Sequence, residues 1–201
     1  MTLFCKQGVA LLSMGDQLPK FVLMVHPTGR QGAIWQAVLR SQKLSVLWES
    51  PDVDLPASLN HLADHHAKLP NLLLIDTRIQ ALNPYKLCRW GQQVFPDLKI
   101  VLVNGAQTVI TPTEREWAKY QGAADLLAGF QPDRLVTGGV SKVQRVLELL
   151  EHQPLEQGAL VAALLRFSGM HPVDRPKIHQ SMMRSATKSA KASVVPSGAV
   201  L

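Results

Sequence analysis

Pro70-Asn71-Leu72-Leu73-Leu74-Ile75-Asp76-Thr77-Arg78 is the stretch on which the reading of the whole chain turns. Four consecutive apolar residues, entered from a proline and closed by a carboxylate, suit a short strand buried on both faces. Two similar runs flank it. Phe21-Val22-Leu23-Met24-Val25 lies upstream and Lys99-Ile100-Val101-Leu102-Val103 downstream. Leu44-Ser45-Val46-Leu47-Trp48 and the shorter Asp125-Leu126-Leu127-Ala128 complete a set of five.

Between these runs the apolar spacing changes to that of helices. Thr28-Gly29 opens a first helix bearing Ile34, Trp35, Val38 and Leu39. Asp54 is placed to cap a second, with Leu55, Leu59 and Leu62 on one face. Pro84 starts a third, with Leu87, Cys88, Val94 and Phe95, which Gly91 weakens. Thr111-Pro112-Thr113-Glu114 gives the fourth a capping box with proline in its first turn, and Gly122 stops it. After Gly138-Gly139, read as a loop, Ser141 is expected to cap a fifth helix bearing Val143, Val146, Leu147 and Leu150. Strand–helix alternation predicts a doubly wound α/β fold with a five-stranded parallel sheet. Its working site lies outside the carboxyl ends of the strands. Those ends carry His26-Pro27-Thr28, Asp76, Asn104-Gly105 and Gly129-Phe130.

The 201 residues, 46% hydrophobic and 18% charged, suit one ordinary globular domain with some remainder. The expected division is an N-terminal extension over 1–18, a domain over 19–152, a C-terminal helix within 153–170 and a basic disordered tail over 171–201. The net charge of +6 is concentrated in that tail, where five cations face Asp174 alone. A basic folded surface for nucleic acid is therefore not expected, and no recognition-helix signature appears after residue 152. No apolar run approaches the roughly 18 residues that span a bilayer. Met1 to Met14 is too short and polar for a signal peptide, and Met14 is an alternative start. Cys5 and Cys88 form no metal-spaced or CxxC pattern, so a reduced, buried Cys88 and a cytoplasmic setting are expected.

Several segments, in order, resemble the receiver domains of response regulators in two-component systems. Pro70 to Arg78 looks like the family's third strand, which ends in the phosphoacceptor aspartate. Tyr85 to Pro96 is similar to its third helix, and Ile100 to Gly105 to its fourth strand. Gly122-Ala123-Ala124-Asp125-Leu126-Leu127 closely matches the Gly-Ala-x-Asp-Tyr-Leu entry to the fifth. The resemblance covers about residues 19–152. It implies the flavodoxin-like order 2-1-3-4-5, and Asp76 at the phosphoacceptor position. It also implies a partner surface on the fourth helix, fifth strand and fifth helix, near Trp117, Phe130 and Leu135.

The departures from that family bear on function. His26 stands where receivers carry an acidic pair, Asn104 where they carry Thr or Ser, and Gly129 where they carry Lys. Phosphoryl transfer to a carboxylate rests on positioning and charge neutralisation. Magnesium wants oxygen ligands, carboxylates among them, and imidazole is a poor replacement. The degenerate pocket His26, Asn104 and Gly129 thus predicts an atypical, or pseudo-receiver, acting through protein–protein contact without phosphorylation. No catalytic residue and no resident metal or cofactor is expected, with magnesium needed only if Asp76 is phosphorylated. A working phosphorelay receiver that takes a phosphoryl group on Asp76 is the alternative. A small flavodoxin-like cofactor binder or enzyme is a third reading, which no nucleophile–base pair or phosphate loop supports. Expected partners are a signalling protein or histidine kinase, with a homodimer as a further arrangement. The His61, Asp64, His65 and His66 cluster reads as a solvated helix face. The tryptophans read as packing residues, with Trp90 or Trp117 as partner anchors.

Overall fold

The computed structural model describes residues 19–152 and 154–168. The expected N-terminal extension, the choice between Met1 and Met14, Cys5 and the basic tail lie outside the described residues. Strands β1 (Phe21–Val25), β2 (Ser45–Glu49), β3 (Leu72–Asp76), β4 (Lys99–Asn104) and β5 (Asp125–Ala128) alternate with helices. Those are α1 (Arg30–Ser41), α2 (Leu55–Asp64), α3 (Pro84–Val94), α4 (Pro112–Tyr120) and α5 (Leu135–Leu149), and α6 (Gln157–Ser168) follows. All strand pairs are parallel and the order is β2-β1-β3-β4-β5. This is the flavodoxin-like receiver order expected from the sequence.

The continuous apolar strands feed two cores, one on each face, because successive side chains point to opposite sides. Val22, Met24, Leu72, Leu74, Val101 and Val103 pack under α1 and α5. Leu23, Val25, Leu73, Ile75, Ile100 and Leu102 pack under α2, α3 and α4. Cys88 is wholly buried in the second core. Burial pushes its thiol up to about 12, so it behaves as a small apolar residue.

Local signals set the starts of α2, α3 and α4. Asp54 accepts from the Ala57 amide and Asn83 from the Lys86 amide. At α4 both halves of the Thr111–Glu114 capping box are made. Gly122, with φ of 93°, turns the chain after α4, where a side chain would also strike the Cys88 carbonyl. The fifth helix corrects the sequence reading. It begins at Leu135 rather than at Ser141, and runs straight through Gly138-Gly139. Gly139 is needed for close packing: a methyl there would approach Leu164 Cδ1 to 2.9 Å.

The C-terminal helix lies against α1 and α5. Leu160 and Leu164 are fully buried in the first core, each contributing about 2 kcal/mol by removal from water. Polar ties hold both its ends. Arg30 donates to the Phe167 carbonyl at 2.7 Å, and Gln42 accepts from the Glu156 amide at 2.8 Å.

Candidate functional site

β3 delivers Asp76 to the carboxyl edge of the sheet, between β1 and β4, and its side chain is fully buried. Both carboxylate oxygens are taken. The Arg78 guanidinium forks across them, with Nε 2.9 Å from Oδ1 and Nη2 2.7 Å from Oδ2. The Arg78 amide donates to Oδ1 at 2.8 Å. His26, at the end of β1 and buried, brings Nε2 within 2.8 Å of Oδ2. That approach is an ion-pair distance, although it lies off the direction of a well-aligned hydrogen bond. Burial works to raise the Asp76 carboxyl. The contact with His26 and the hydrogen bonds from Arg78 outweigh it, and hold the group well below the usual carboxylate range. The same fork raises Arg78. Arg78 is thus the partner of Asp76, while Arg30 is committed to α6.

His26 is locked from behind. Its carbonyl accepts from Trp48 Nε1 at 2.8 Å, and the Trp48 ring meets the imidazole edge-on. Its Nδ1 is 3.0 Å from the Pro27 carbonyl.

Asn104 turns toward its own loop. Its Oδ1 accepts from the Ala106 amide and its Nδ2 donates to Gln107 Oε1 at 2.9 Å. Gln107 in turn donates to Glu114, which closes the capping box of α4. The β4–α4 loop is therefore stitched to the start of α4 rather than opened toward Asp76.

Gly129, where the resemblance would place a lysine, is in direct contact with that loop. Its amide donates to the Asn104 and Gln107 carbonyls at 2.9 and 3.0 Å. A Cβ built on Gly129 would stand 2.9 Å from the Gly105 carbonyl oxygen, and one on Gly105 would collide with the Arg78 guanidinium. Gly105 and Gly129 let two backbones and an ion pair close up where an open pocket would otherwise lie. Sequence reasoning named both positions but could not see that they touch, because that contact is long-range.

The residues do not fit a magnesium ion. Asp76 is the only acidic side chain among His26, Asp76, Asn104 and Gly129, and the Arg78 guanidinium occupies both its oxygens. Among the described residues no group of three His, Cys, Asp or Glu is placed to hold a metal. His61 and His65 stack at 4.1 Å on the exposed face of α2, and the His65 ring hydrogen-bonds the His61 carbonyl.

Of the three residues expected near a partner surface, one is exposed. Trp117 is 49% exposed and packs edge-on against Tyr85 of α3. Phe130 and Leu135, expected beside it, are instead core residues at 4% and 3% exposure. Phe130 packs on Trp35 with ring centres 4.7 Å apart. Gln31 of α1 clamps the Phe130 backbone from both sides, accepting its N–H at 2.8 Å and donating to its carbonyl at 2.7 Å. An apolar residue at either position reads equally well as core, and α1 and α6 supply that core. Among the described residues no helix is long and apolar enough to cross a membrane.

No family model and no curated protein matches the chain. Solved structures do. A putative response regulator from Chloroflexus aurantiacus is 22% identical, with 67% of this chain and 99% of that one covered and a TM-score of 0.49. The signal receiver domain of the putative response regulator NarL from Mycobacterium tuberculosis is 18% identical, over 67% and 98%, with a TM-score of 0.46. An atypical orphan response regulator, described as having a phosphorylation-independent regulatory mechanism, is 14% identical over 68% and 99%, with a TM-score of 0.47. The likeness is one of fold, and the strand order establishes that fold on its own.

Proposed function

We propose that this protein is a signal-transduction module of the receiver type that works by binding another protein, without catalysis and without phosphorylation. The observation that carries the reading is the sealed state of Asp76. A carboxylate that is to attack phosphorus needs a free oxygen and a cation to neutralise the incoming group. Here the Arg78 fork covers both oxygens, and the Gly105–Gly129 contact fills the adjoining space. The ion pair, with His26, ties the end of β3 to its own following loop and to the end of β1, which suits a fixed binding surface better than a switch. Partners are expected among signalling proteins, with exposed α4 as the approach and Trp117 as an anchor.

The test is a magnesium and beryllofluoride titration followed by amide NMR. The expected result is no saturable shift at residues 76–78, 104–107 and 129. Saturable shifts centred on those amides, absent in Asp76→Asn, would overturn the reading and restore a phosphorylatable receiver.

A further inference from the structure

Helix α6 is apolar nearly all round. Along Gln157–Ser168 only Gln157, Arg166 and Ser168 are polar, and the rest are glycine, alanine or larger apolar residues. A helix of that kind is ordinarily covered on every side. Its inner side is: Leu160, Ala163 and Leu164 are buried against α1 and α5. Its outer side is not. Gly158, Ala159 and Ala162 are exposed, and Leu165 is 57% exposed. Beside this ridge a notch of about 620 Å³ lies between α1 and α6. Ala33, Ala37 and Arg40 line one wall, and Ala159, Ala162 and Arg166 the other.

Charge along the helix runs end to end. Glu156 stands at its start, where its carbonyl accepts from the Leu160 amide, and Arg166 lies in its last turn. Each suits the end of the helix dipole on which it sits. The Glu156 carboxylate makes an exposed pair with Lys43 at 3.3 Å. Such a pair holds little free energy and exchanges readily for a better partner. A helix negative at its start and positive at its end is complementary to a second copy of itself laid antiparallel. Centred on Ala162, that pairing sets Leu165 over the partner's Ala159. It sets Arg166 over the partner's Gly158, within reach of the partner's Glu156. The small residues leave room for both, and a Cβ built on Gly158 meets nothing within 4 Å.

We propose that the outer face of α6 is the interface of a two-fold dimer of this chain. The two α6 helices pack antiparallel, Leu165 of each copy closes over the other, and Arg166 pairs with the partner's Glu156. The same patch serves both copies and every contact occurs twice, as two-fold closure requires. A foreign apolar helix would cover the same alanines, but the reciprocal charges at the two ends of α6 select a second copy. α6 packs on the first core and α4 on the second, so this dimer leaves Trp117 open. The inference goes beyond the reading of Asp76 and does not depend on it.

Sedimentation velocity of the full chain over a range of concentrations reads the association. The expected result is a shift from one chain mass to two as concentration rises. Leu165→Asp should weaken the dimer about tenfold or more, because it places a charge inside the closed interface. Arg166→Glu and Glu156→Arg should each weaken it, since like charges then face each other. The two reversals in one chain should restore it, which a merely misfolded variant would not do. Trp117→Ala, on α4, should leave it unchanged. A chain that stays monomeric throughout, or a dimer indifferent to Leu165→Asp and to both single reversals, would overturn the proposal. A dimer lost in Trp117→Ala and kept in Leu165→Asp would overturn it too, and place the contact on α4.

Discussion

Replacing Arg78 by alanine tests the ion pair at the centre of the site. The change leaves the Asp76 carboxylate with only His26 and one backbone amide facing it. Removing one partner of a buried pair costs about 3–5 kcal/mol when the remaining charge is uncompensated. Two features reduce that figure. His26 stays within 2.8 Å, and the Arg78 side chain is itself 42% exposed, so water can reach the vacated side. The expected loss is therefore about 2 kcal/mol, and for a domain of this size each kcal/mol moves Tm by about 2–4 °C, which makes a fall of roughly 4–8 °C. Urea unfolding at neutral pH would read the same loss as a lower midpoint with an unchanged slope. A double-mutant cycle with Asp76→Asn should return a coupling of about 1–3 kcal/mol, because the asparagine no longer needs the cation. An Arg78→Ala protein within about 0.5 kcal/mol of wild type would refute the reasoning, since that is the range of an ordinary surface substitution.

Acid should expose the same carboxylate. Asp76 is held below its ordinary value in the folded chain, so its contribution is complete above about pH 5 and is lost progressively as pH falls further. The stability gap between wild type and Asp76→Asn should accordingly narrow from about pH 5 to pH 2 in urea titrations; a constant gap would contradict the assignment. Gly129→Lys should destabilise by about 1–3 kcal/mol through overpacking against the Gly105 backbone. It should not create phosphate uptake, and a stable variant that became phosphorylated would show the pocket to be open. Arg30→Ala should cost about 1 kcal/mol and speed hydrogen exchange in the last turn of α6, where the Phe167 carbonyl loses its donor. Unchanged exchange there would mean the tie does not hold the helix.

Most of the fold was legible because its signals are local or periodic. The strand runs, the Asp54 cap and the Thr111–Glu114 box each act within a few residues, and each appears where the sequence put it. The start of α5 was not legible. Gly138-Gly139 reads as a break, yet the helix passes through because Gly139 admits Leu164 from a helix some twenty-five residues later. The resting place of α6 depends on ties such as Arg30 to Phe167, and no spacing rule encodes those. Within the site, Asp76 and its loss of acidic neighbours could be read directly, and its partner Arg78 lies only two residues away. The contact between Gly105 and Gly129, which closes the pocket, joins two strand ends far apart in the chain. Phe130 and Leu135 were placed on the surface by resemblance alone, and Trp35, α1 and α6 bury them.

The central claim is that Asp76 is sealed by its own neighbours and does not accept a phosphoryl group. Incubation of the full chain with acetyl phosphate and magnesium, read by intact mass beside Asp76→Asn, tests it most directly. The account predicts identical, unmodified masses for both proteins under conditions that modify an ordinary receiver. One added phosphoryl group on the wild type alone would contradict it and return the protein to a phosphorelay.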